Sequence, residues 1–278
     1  MKKVYKQIVG ITGASSVLGR FLIKQLKKKF IFKIYKDRID NYSKFNKWLK
    51  HNKDIEIFVH LAAIASLINF KKNKKKSFLI NTNSSIQLLK TLQCLELNNL
   101  KYFLYASTSH VYKPTFGKIK ENSKKIPVNF YGQSKNKVEN FIIKNRKNFT
   151  FNIGIARIFN FYDTNQKKGF FIPDIIGKLT NKKIKKLKLT KVNTCRDYIN
   201  LKDLTNIILF MIKKKFDKPL NVGSGIKINL VDLVNKIKKK YKSKILTNFE
   251  LKKYPGYVAD INFLRQIGYK KKISKFKI

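Results

Sequence analysis

Cysteine is scarce in this chain, which has only two among its 278 residues. Cys94 and Cys195 stand far apart, so they form neither the spacing of a zinc site nor a disulfide framework, and we predict no metal site. A chain without disulfides is typical of a reducing compartment, and we expect the cytoplasm. Because Cys94 lies within an apolar helical pattern, we expect its thiol to be buried.

Acidic residues are also few: 15 aspartates and glutamates face 63 lysines and arginines, which gives a formal net charge of +48. Such a charge is typical of nucleic-acid-binding proteins. However, the basic residues are nearly all lysine, run from Lys2 to Lys277, and accompany many asparagines, isoleucines and phenylalanines, the residues of A/T-rich codons. We therefore interpret the charge as compositional bias and expect no nucleic-acid partner, although the charge favours anionic ligands.

Long apolar runs are absent as well. No run reaches the ~20 residues that a membrane-spanning helix needs. The apolar stretch after Met1-Lys2-Lys3 is too short for a signal peptide. We therefore expect no membrane partner and no secretory leader. The hydrophobic content, 43%, is enough for a large core in one or two domains.

A stretch near the start of the chain organises the rest. The run Ile8-Val9-Gly10-Ile11-Thr12 is apolar and β-branched, small residues follow, and apolar residues then recur at helical spacing from Val17 to Leu26. This pattern predicts a strand, a tight turn and a helix. Backbone N–H groups at such a turn and helix start suit a diphosphate. The predicted contacts are Gly13, Ser15, Ser16, Val17, Leu18 and Gly19.

Strand and helix patterns alternate after this stretch, which predicts an α/β fold with a doubly wound parallel sheet and right-handed crossovers. We expect a dinucleotide-binding domain at 1–165, rejoined by 192–225, and a smaller C-terminal substrate lobe at 166–191 and 226–278. The predicted strands include 7–12, 30–35, 55–63, 102–106, 151–157 and 220–222. The predicted helices include 17–29, 42–52, 81–97, 131–146, 204–212 and 230–237.

Two strand ends carry residues that would meet a nucleotide. Asp37 and Arg38 follow the second predicted strand, where Asp37 would accept a hydrogen bond from an adenine-ribose hydroxyl and Arg38 would pair with a 2′-phosphate. Because both residues are present, the sequence is compatible with either NAD or NADP as the cofactor. We interpret His60, in the third strand, as a hydrogen-bonded structural histidine. The residues after it let a ligand approach the backbone: Leu61, Ala62 and Ala63.

Tyr131 and Lys135 lie on one face of a predicted helix. A tyrosine is a weak base at its usual pKa of about 10, but a neighbouring ammonium and a nicotinamide cation both favour the phenolate. Tyr131 would then exchange a proton with a sugar hydroxyl as hydride moves, and Thr108 would hold the same hydroxyl. Taken alone, a Tyr-x-x-x-Lys pair is also common as a packed tyrosine beside a solvated lysine.

Further short motifs follow in order along the chain. They are His60-Leu61-Ala62-Ala63, Ser107-Thr108-x-x-Val111-Tyr112, Arg157-x-x-Asn160-x-Tyr162, Arg196-Asp197-Tyr198-Ile199 and Asn221-Val222-Gly223-Ser224-Gly225. Together with Thr12-Gly13-x-x-Ser16-x-x-Gly19 and the Tyr131/Lys135 pair, they resemble the extended short-chain dehydrogenase/reductase family, which comprises nucleotide-sugar epimerases, dehydratases and reductases. The resemblance covers nearly the whole chain, and the motifs are specific jointly rather than singly.

The resemblance implies a Rossmann-type fold, NAD or NADP as cofactor and a nucleotide-diphosphate sugar as substrate. It implies that Tyr131 is the acid/base, that Lys135 holds the nicotinamide ribose and that Thr108 binds the reacting oxygen. Family members usually pair through two helices, here those at 81–97 and 130–146, so a homodimer is expected. The implied substrate contacts are Ser109, His110, Asn160 and Arg196, the last near the diphosphate, where a guanidinium suits phosphate oxygens.

Departures from the family pattern refine this expectation. Ser16 replaces the family's middle glycine, so a Cβ crowds the approach of the pyrophosphate. Ser109 and His110 stand where dehydratases of the family carry Asp-Glu, so the acid that eliminates water is missing. His110 is either an extra acid/base or a loop-edge histidine.

The expected activity is therefore hydride transfer at a sugar carbon, C4, by an epimerase or a 4-keto-sugar reductase. The alternative is a non-catalytic dinucleotide- or nucleic-acid-binding protein on the same fold.

Overall fold

The first strands and helices of the chain follow the predicted order. The computed structural model describes residues 5–66, 70, 73–95 and 97–278; residues 1–4, and Glu96 in the helix expected at 81–97, lie outside this part. The elements are β1 (Ile8–Thr12), α1 (Val17–Leu26), β2 (Ile31–Ile34), α2 (Tyr42–Lys50) and β3 (Ile57–His60).

The helix expected at 81–97 begins earlier and is interrupted. The elements here are α3 (Lys74–Leu79), a π-helical turn (Ile80–Ser84), α4 (Ser85–Cys94) and β4 (Tyr102–Thr108). Within the turn, the Thr82 hydroxyl donates to the Phe78 carbonyl at 2.8 Å, and the Ser85 hydroxyl donates to the Asn81 carbonyl at 2.8 Å. Such bonds compete with the regular helical pattern and account for the widened turn.

The remaining elements complete the sheet and a smaller lobe. They are a short 3₁₀ turn (Ser109–Val111), α5 (Phe130–Lys144), β5 (Asn152–Ile158), β6 (Asn160–Phe161), α6 (Phe171–Leu179), β7 (Lys186–Leu189), β8 (Cys195–Arg196), β9 (Tyr198–Ile199), α7 (Leu201–Lys214), β10 (Pro219–Val222), β11 (Ile228–Asn229), α8 (Leu230–Lys240), β12 (Leu246–Phe249) and α9 (Asn262–Gln266).

The central sheet has six strands in the order β10-β5-β4-β3-β1-β2, and each pairing is parallel. The chain passes from β1 to β2 on one side and returns to β3 on the other, so the order reverses beside β1. Ligands bind at such a reversal, outside the carboxyl ends of the strands. The expected doubly wound α/β fold is confirmed, and its register places Thr12 opposite His60.

Helices cover both faces of the sheet. Leu22 of α1 and Leu204 of α7 are fully buried on one face, together with Leu264 of α9. Leu49 of α2 and Val138 of α5 are fully buried on the other. Strands that are covered on both faces are typically apolar throughout, as β3 and β4 are, so only their ends can carry a polar site.

The smaller lobe has its own hydrophobic cluster, which α6 and α8 form with two small sheets, β7–β12 and β8–β11. Val234 and Ile237 of α8 are fully buried in it. The segment that carries Leu264 belongs instead to the cluster on the central sheet. The lobe connects to the central sheet where β6, which directly follows β5, pairs with β9, and where β8, just before β9, pairs with β11.

The expected burial of Cys94 is wrong. Cys94 is exposed, because it shares the outer face of α4 with Gln87 and Lys90, which are exposed seven and four residues earlier. In the described part of the chain, no three His, Cys, Asp or Glu side chains are arranged to hold a metal ion. None of the described helices is long and apolar enough to cross a membrane.

The left-handed backbone conformation of Lys215, the residue that follows α7, can be tested by substitution. Its φ of 46° and ψ of 41° lie in the left-handed region, which costs a residue with a Cβ about 1 kcal/mol relative to glycine. Lys215→Gly is expected to raise the unfolding free energy by about that amount. Lys213→Gly, inside the same helix, should lower it by about 1 kcal/mol. Urea unfolding measures both, and a destabilised Lys215→Gly would contradict the assignment.

Candidate active site

Two glycines fix the turn between β1 and α1. Gly13 has a φ of +72°, and a Cβ there would lie 2.6 Å from the Ala62 nitrogen. A Cβ on Gly19 would lie 2.4 Å from the Gly13 carbonyl oxygen. The turn therefore packs backbone against backbone on the segment that follows β3, which holds Leu61, Ala62 and Ala63. Only glycine allows this approach.

Ser16 begins α1 without strain. Its φ of −68° and ψ of 161° are extended, and its hydroxyl accepts a hydrogen bond from the Gly19 N–H at 3.0 Å. The exposed Ser15 accepts from the Arg20 guanidinium through its carbonyl. Since the first N–H groups of a helix have no carbonyl partner inside it, Val17 and Leu18 present donors that fit a diphosphate. Serine thus fits the turn itself.

Asp37 and Arg38 lie on the loop after β2, and both have partners. The Lys44 ammonium lies 3.1 Å from an Asp37 oxygen. Arg38 donates to Asp40 from Nε at 3.0 Å and from Nη2 at 2.8 Å, and this pairing raises the pKa of Arg38 and lowers that of Asp40. A cavity of about 520 Å³ adjoins this loop at Asp40. The 2′-phosphate of NADP would have to compete with Asp40 for Arg38. NAD and NADP therefore both remain candidate cofactors.

His60 is a buried structural histidine, as interpreted from the sequence. The Thr12 hydroxyl lies 2.7 Å from Nδ1, and the Ser85 hydroxyl lies 2.9 Å from Nε2. Because Ser85 donates its own proton to the Asn81 carbonyl, Nε2 donates to Ser85 and Nδ1 accepts from Thr12. Burial lowers the pKa of His60 to about 3, with a further contribution from Lys135. The ring is therefore neutral and ties β1 and β3 to α4.

The helix α5 is attached to the end of β4 by side chains at successive turns. Asn129 caps the helix by accepting from the Gly132 N–H at 2.8 Å. Three contacts with β4 follow at four-residue spacing. The Thr108 hydroxyl lies close enough to Tyr131 to lower the pKa of its phenol, the Lys135 ammonium donates to the Ala106 carbonyl at 2.8 Å, and Glu139 accepts from the Ser107 hydroxyl at 2.5 Å.

Burial changes the acidity of the two proton-carrying groups on this helix. It raises the pKa of Tyr131 to about 12, while the Thr108 hydrogen bond acts in the opposite direction. Burial lowers the pKa of Lys135 to about 7, and Glu139 opposes this. The Lys135 ammonium also lies 4.7 Å from the centre of the Tyr105 ring. An ammonium whose pKa lies near neutrality, one helical turn from the Tyr131 phenol, suits proton exchange.

His110 lies between the two halves of the site. Asn129 Nδ2 donates to its Nδ1 at 3.0 Å, which leaves the proton of the neutral ring on Nε2. The imidazole centroid lies 6.1 Å from that of Tyr131 and 4.9 Å from that of Tyr257. Burial, together with Arg196, lowers the pKa of His110 to about 4. His110 is therefore neutral at physiological pH.

Arg196 lines a cavity of about 290 Å³ on the side of the smaller lobe. Its guanidinium lies 5.0 Å from the centre of the Tyr257 ring and donates to the Thr194 hydroxyl at 3.0 Å. The Tyr257 hydroxyl is buried and, within the described residues, has no hydrogen-bond partner. The cavity thus combines a cation, an aromatic face and an unsatisfied hydroxyl, which suits a polar anionic ligand.

Asn160 and Ser109, both predicted to contact the substrate, are held by other parts of the protein. Asn160 Nδ2 donates to the Asp197 carbonyl at 3.2 Å, and Ser109 is buried in the 3₁₀ turn. The Asp197 carboxylate accepts from the Ser224, Gly225 and Ala259 N–H groups and from the Ser224 hydroxyl. Asp197 therefore holds the turn after β10 against the strand that carries Arg196.

The profile of the NAD dependent epimerase/dehydratase family matches residues 9–223. The chain belongs to that family. The matched span runs from β1 to the turn after β10 and contains the glycine turn, Thr108 and the α5 pair. The resemblance drawn from the sequence motifs is thereby confirmed, and the chain is an enzyme of this class.

Curated relatives of this chain have several activities. GDP-6-deoxy-D-talose 4-dehydrogenase from Aggregatibacter actinomycetemcomitans is 28% identical over 224 residues, covering 78% of this chain and 74% of the relative. dTDP-4-dehydro-6-deoxyglucose reductase from Escherichia coli is 25% identical over 88% of this chain and 85% of the reductase. dTDP-D-glucose 4,6-dehydratase from Dictyostelium discoideum is 27% identical over 84% of this chain but 62% of the dehydratase. Identity therefore does not single out one reaction.

Solved structures share the fold over nearly the whole chain. RMD from Pseudomonas aeruginosa, complexed with NADPH, has a TM-score of 0.82 at 18% identity and covers 97% of this chain and 95% of its own. UDP-glucose 4-epimerase from Thermus thermophilus, complexed with NAD, has a TM-score of 0.81 at 14% identity, with the same coverage. These likenesses confirm the Rossmann-type architecture.

The structure brings some predicted residues together and adds others. Thr108, Tyr131 and Lys135 meet at the end of β4, with His110 between them and Arg196, whereas Asp37 and Arg38 lie on the separate loop after β2. The sequence analysis did not include three residues of this region: Asn129, Glu139 and Tyr257. Arg157 stood in a motif but had no role assigned to it. Glu139 had a usable signal, since an acid four residues after Lys135 is unusual in a chain so poor in acids.

Burial of Lys135 leads to a pH-dependent stability difference. Its pKa falls from about 10.5 to about 7 on folding, so between these values the unfolded chain binds a proton that the folded chain does not. Wild-type stability then rises with pH relative to Lys135→Met. We expect Lys135→Met to be the more stable protein at pH ~6.5, and its advantage to shrink by about 2–3 kcal/mol by pH ~9.5. Paired urea titrations measure this; a pH-independent difference would contradict it.

Proposed function

We propose that this protein is an NAD(P)-dependent oxidoreductase that acts at C4 of the sugar in a nucleotide-diphosphate sugar, as an epimerase or a 4-keto-sugar reductase. The observation that carries the proposal is the arrangement of Tyr131 on Thr108, with the Lys135 ammonium buried one helical turn away. Membership of the NAD dependent epimerase/dehydratase family supports it.

The cofactor residues are those of the glycine turn and the neighbouring strand ends. Gly13 and Gly19 allow the turn to pack tightly on itself and on Ala62, and the start of α1 supplies N–H groups for the diphosphate. Asp37 or Arg38 would meet the adenine ribose, and Leu61, Ala62 and Ala63 would line the path to β4. A nicotinamide cofactor, when bound, supplies or accepts the hydride.

Proton transfer falls to Tyr131. In the oxidative direction its phenolate would take the proton of the sugar hydroxyl, and in the reductive direction its phenol would return one. Thr108 would hold the same sugar oxygen, since its hydroxyl lies close enough to Tyr131 to lower the pKa of that phenol. The charged Lys135 would lower the pKa of Tyr131 through space and would hold the nicotinamide ribose.

The substrate would extend from Tyr131 to the cavity that Arg196 and Tyr257 line. Arg196 would contact the diphosphate, where two phosphate oxygens match a guanidinium. His110 would donate from Nε2, and Ser109 and Asn160 would contribute contacts near the sugar. Neither Ser109 nor His110 supplies a carboxylic acid, so elimination of water is the less favoured reaction.

Two further expectations carry over from the family resemblance. Two copies would pair through the helices that here are α4 and α5, whose outer faces carry the exposed Lys90, Lys137 and Lys144. The few cysteines favour the cytoplasm as the location. The division into a domain at 1–165 and 192–225 and a lobe formed by the remaining segments stays a prediction.

The role of Tyr131 is tested by Tyr131→Phe. Without the phenol, turnover is expected to fall by about 10³-fold or more, because general acid–base catalysis contributes about 10²–10⁴-fold. The dissociation constant of NAD(P)H, measured by fluorescence, should change less than about threefold. Tyr269→Phe removes another buried hydroxyl, remote from the site, and serves as the matched control. Unchanged turnover by Tyr131→Phe would refute the assignment.

A panel of UDP-, dTDP- and GDP-sugars, offered with NAD(H) and NADP(H), decides between the two reactions. An epimerase returns the cofactor to its starting state, so nicotinamide absorbance stays constant while chromatography separates a new sugar epimer. A reductase oxidises one NAD(P)H for each 4-keto sugar consumed. We expect one of these patterns. Release of water with the formation of a 4-keto-6-deoxy sugar would show a dehydratase instead.

A further inference from the structure

A buried carboxylate lies one helical turn beyond Lys135. Glu139 of α5 is fully buried, and Arg157 of β5 donates to it from Nε at 3.1 Å to each oxygen and from Nη2 at 2.7 Å. Ser107 of β4 donates to Oε1 at 2.5 Å. The Lys125 ammonium lies 3.7 Å from Oε2. Two strands and a loop therefore hold a side chain that belongs to the helix of Tyr131.

The arginine partner extends this contact across the sheet. Arg157 Nη1 donates to the Tyr112 hydroxyl at 2.6 Å and to the Glu121 carbonyl at 2.8 Å. The Tyr112 hydroxyl in turn donates to Asn221 of β10 at 2.7 Å. The network thus joins the carboxyl ends of β4, β5 and β10, the edge at which the site lies.

Stability alone does not explain why Glu139 and Arg157 form a buried ion pair. Replacing a buried ion pair with apolar side chains of similar size is often neutral or stabilising, because desolvation offsets the attraction. The chain has only 15 acidic residues against 63 basic ones, yet one of them lies fully buried four residues after Lys135. A role tied to Lys135 accounts for that placement.

We infer that Glu139 is a positioning residue, whose carboxylate fixes Lys135 and Tyr131 relative to Thr108 and favours the charged form of the ammonium. The geometric part follows from Ser107, which holds Glu139 and lies between Ala106, the acceptor for Lys135, and Thr108, the partner of Tyr131. The inference rests on the proposed function for its kinetic consequences.

The electrostatic part follows from what surrounds the ammonium. The Tyr105 ring of β4 lies 4.7 Å away, and His60 of β3 is near enough for Lys135 to lower its pKa. Both are neutral at physiological pH, because burial lowers the pKa of His60 to about 3 and raises that of Tyr105 well above its usual value. Tyr131 is also protonated, so Glu139 is the anion among these groups and raises the pKa of Lys135.

The test compares Glu139→Gln with Ser107→Ala. Glu139→Gln should lower kcat about 10–100-fold, as expected for a misplaced catalytic group, with KM for the cofactor changed less than about threefold. It should also lower the pKa of Lys135 by about one unit. Ser107→Ala removes one hydrogen bond but no charge, so it should lower kcat less and leave that pKa unchanged. Asp203→Asn, at a buried carboxylate of α7 remote from the site, is the control for both measurements.

The Lys135 pKa is read by NMR of ¹³C-labelled lysine side chains, with its signal identified by its loss in Lys135→Met. The same shift should move the alkaline limb of kcat/KM to lower pH in the reductive direction, because Lys135 loses its proton earlier. If Glu139→Gln does not fold, the double variant Glu139→Met/Arg157→Met replaces the pair with apolar side chains. It should show the same decrease in kcat and the same decrease in the Lys135 pKa.

The outcomes separate the inference from the proposed function. A folded variant without Glu139 that keeps both kcat within twofold of wild type and the wild-type Lys135 pKa overturns the inference. If wild type turns over no sugar nucleotide, the proposed function fails, and the NMR titration alone decides: a lowered Lys135 pKa supports the role of Glu139, and an unchanged one overturns it.

Discussion

The docking of one helix on one strand end sets the arrangement of the candidate active site. Tyr131, Lys135 and Glu139 project from the same face of α5 at successive turns, and each contacts a residue at the end of β4. A helix rises ~1.5 Å per residue, so a small slip of α5 would displace all of these contacts together. Their combined geometry makes the position of Tyr131 a property of the whole interface rather than of one side chain.

Much of the fold and part of the site could be predicted from the sequence, because local periodicity and strand ends carry that information. Gly13, Gly19, Thr108, Tyr131 and Lys135 stand in short motifs whose spacing is visible in one dimension. The contact of Asn129 with His110 and that of Glu139 with Arg157 join segments that share no local pattern. The exposure of Cys94 was missed for a different reason: helical spacing puts Cys94 on the face of Gln87 and Lys90, so the apolar residues next to it in the chain were a poor guide to its burial.

Several of the few carboxylates in this chain connect segments of the fold that are distant in sequence. Glu139, Asp197 and Asp203 are buried and hold together segments that are distant in sequence. Most lysines, in contrast, lie on the surface, where charges contribute little to stability. The net charge of +48 therefore reflects the surface. In the interior, Glu139 pairs with Arg157, whereas Asp197 and Asp203 accept from N–H, amide and hydroxyl groups. Among the lysines that the structure describes, Lys135 is fully buried, on the helix that also carries Tyr131.

The side-chain amide of Asn129 performs two tasks at once: its oxygen caps α5 and its nitrogen donates to His110. The two ends of an amide cannot be exchanged without losing both bonds, so this side chain has one orientation. Aspartate at position 129 would keep the cap but would offer His110 an acceptor in place of a donor. The imidazole would then move its proton to Nδ1 or take up a second one, which reverses the polarity that its Nε2 presents to a ligand or adds a positive charge. A single atom in a helix cap thus selects the tautomer of a residue in the site.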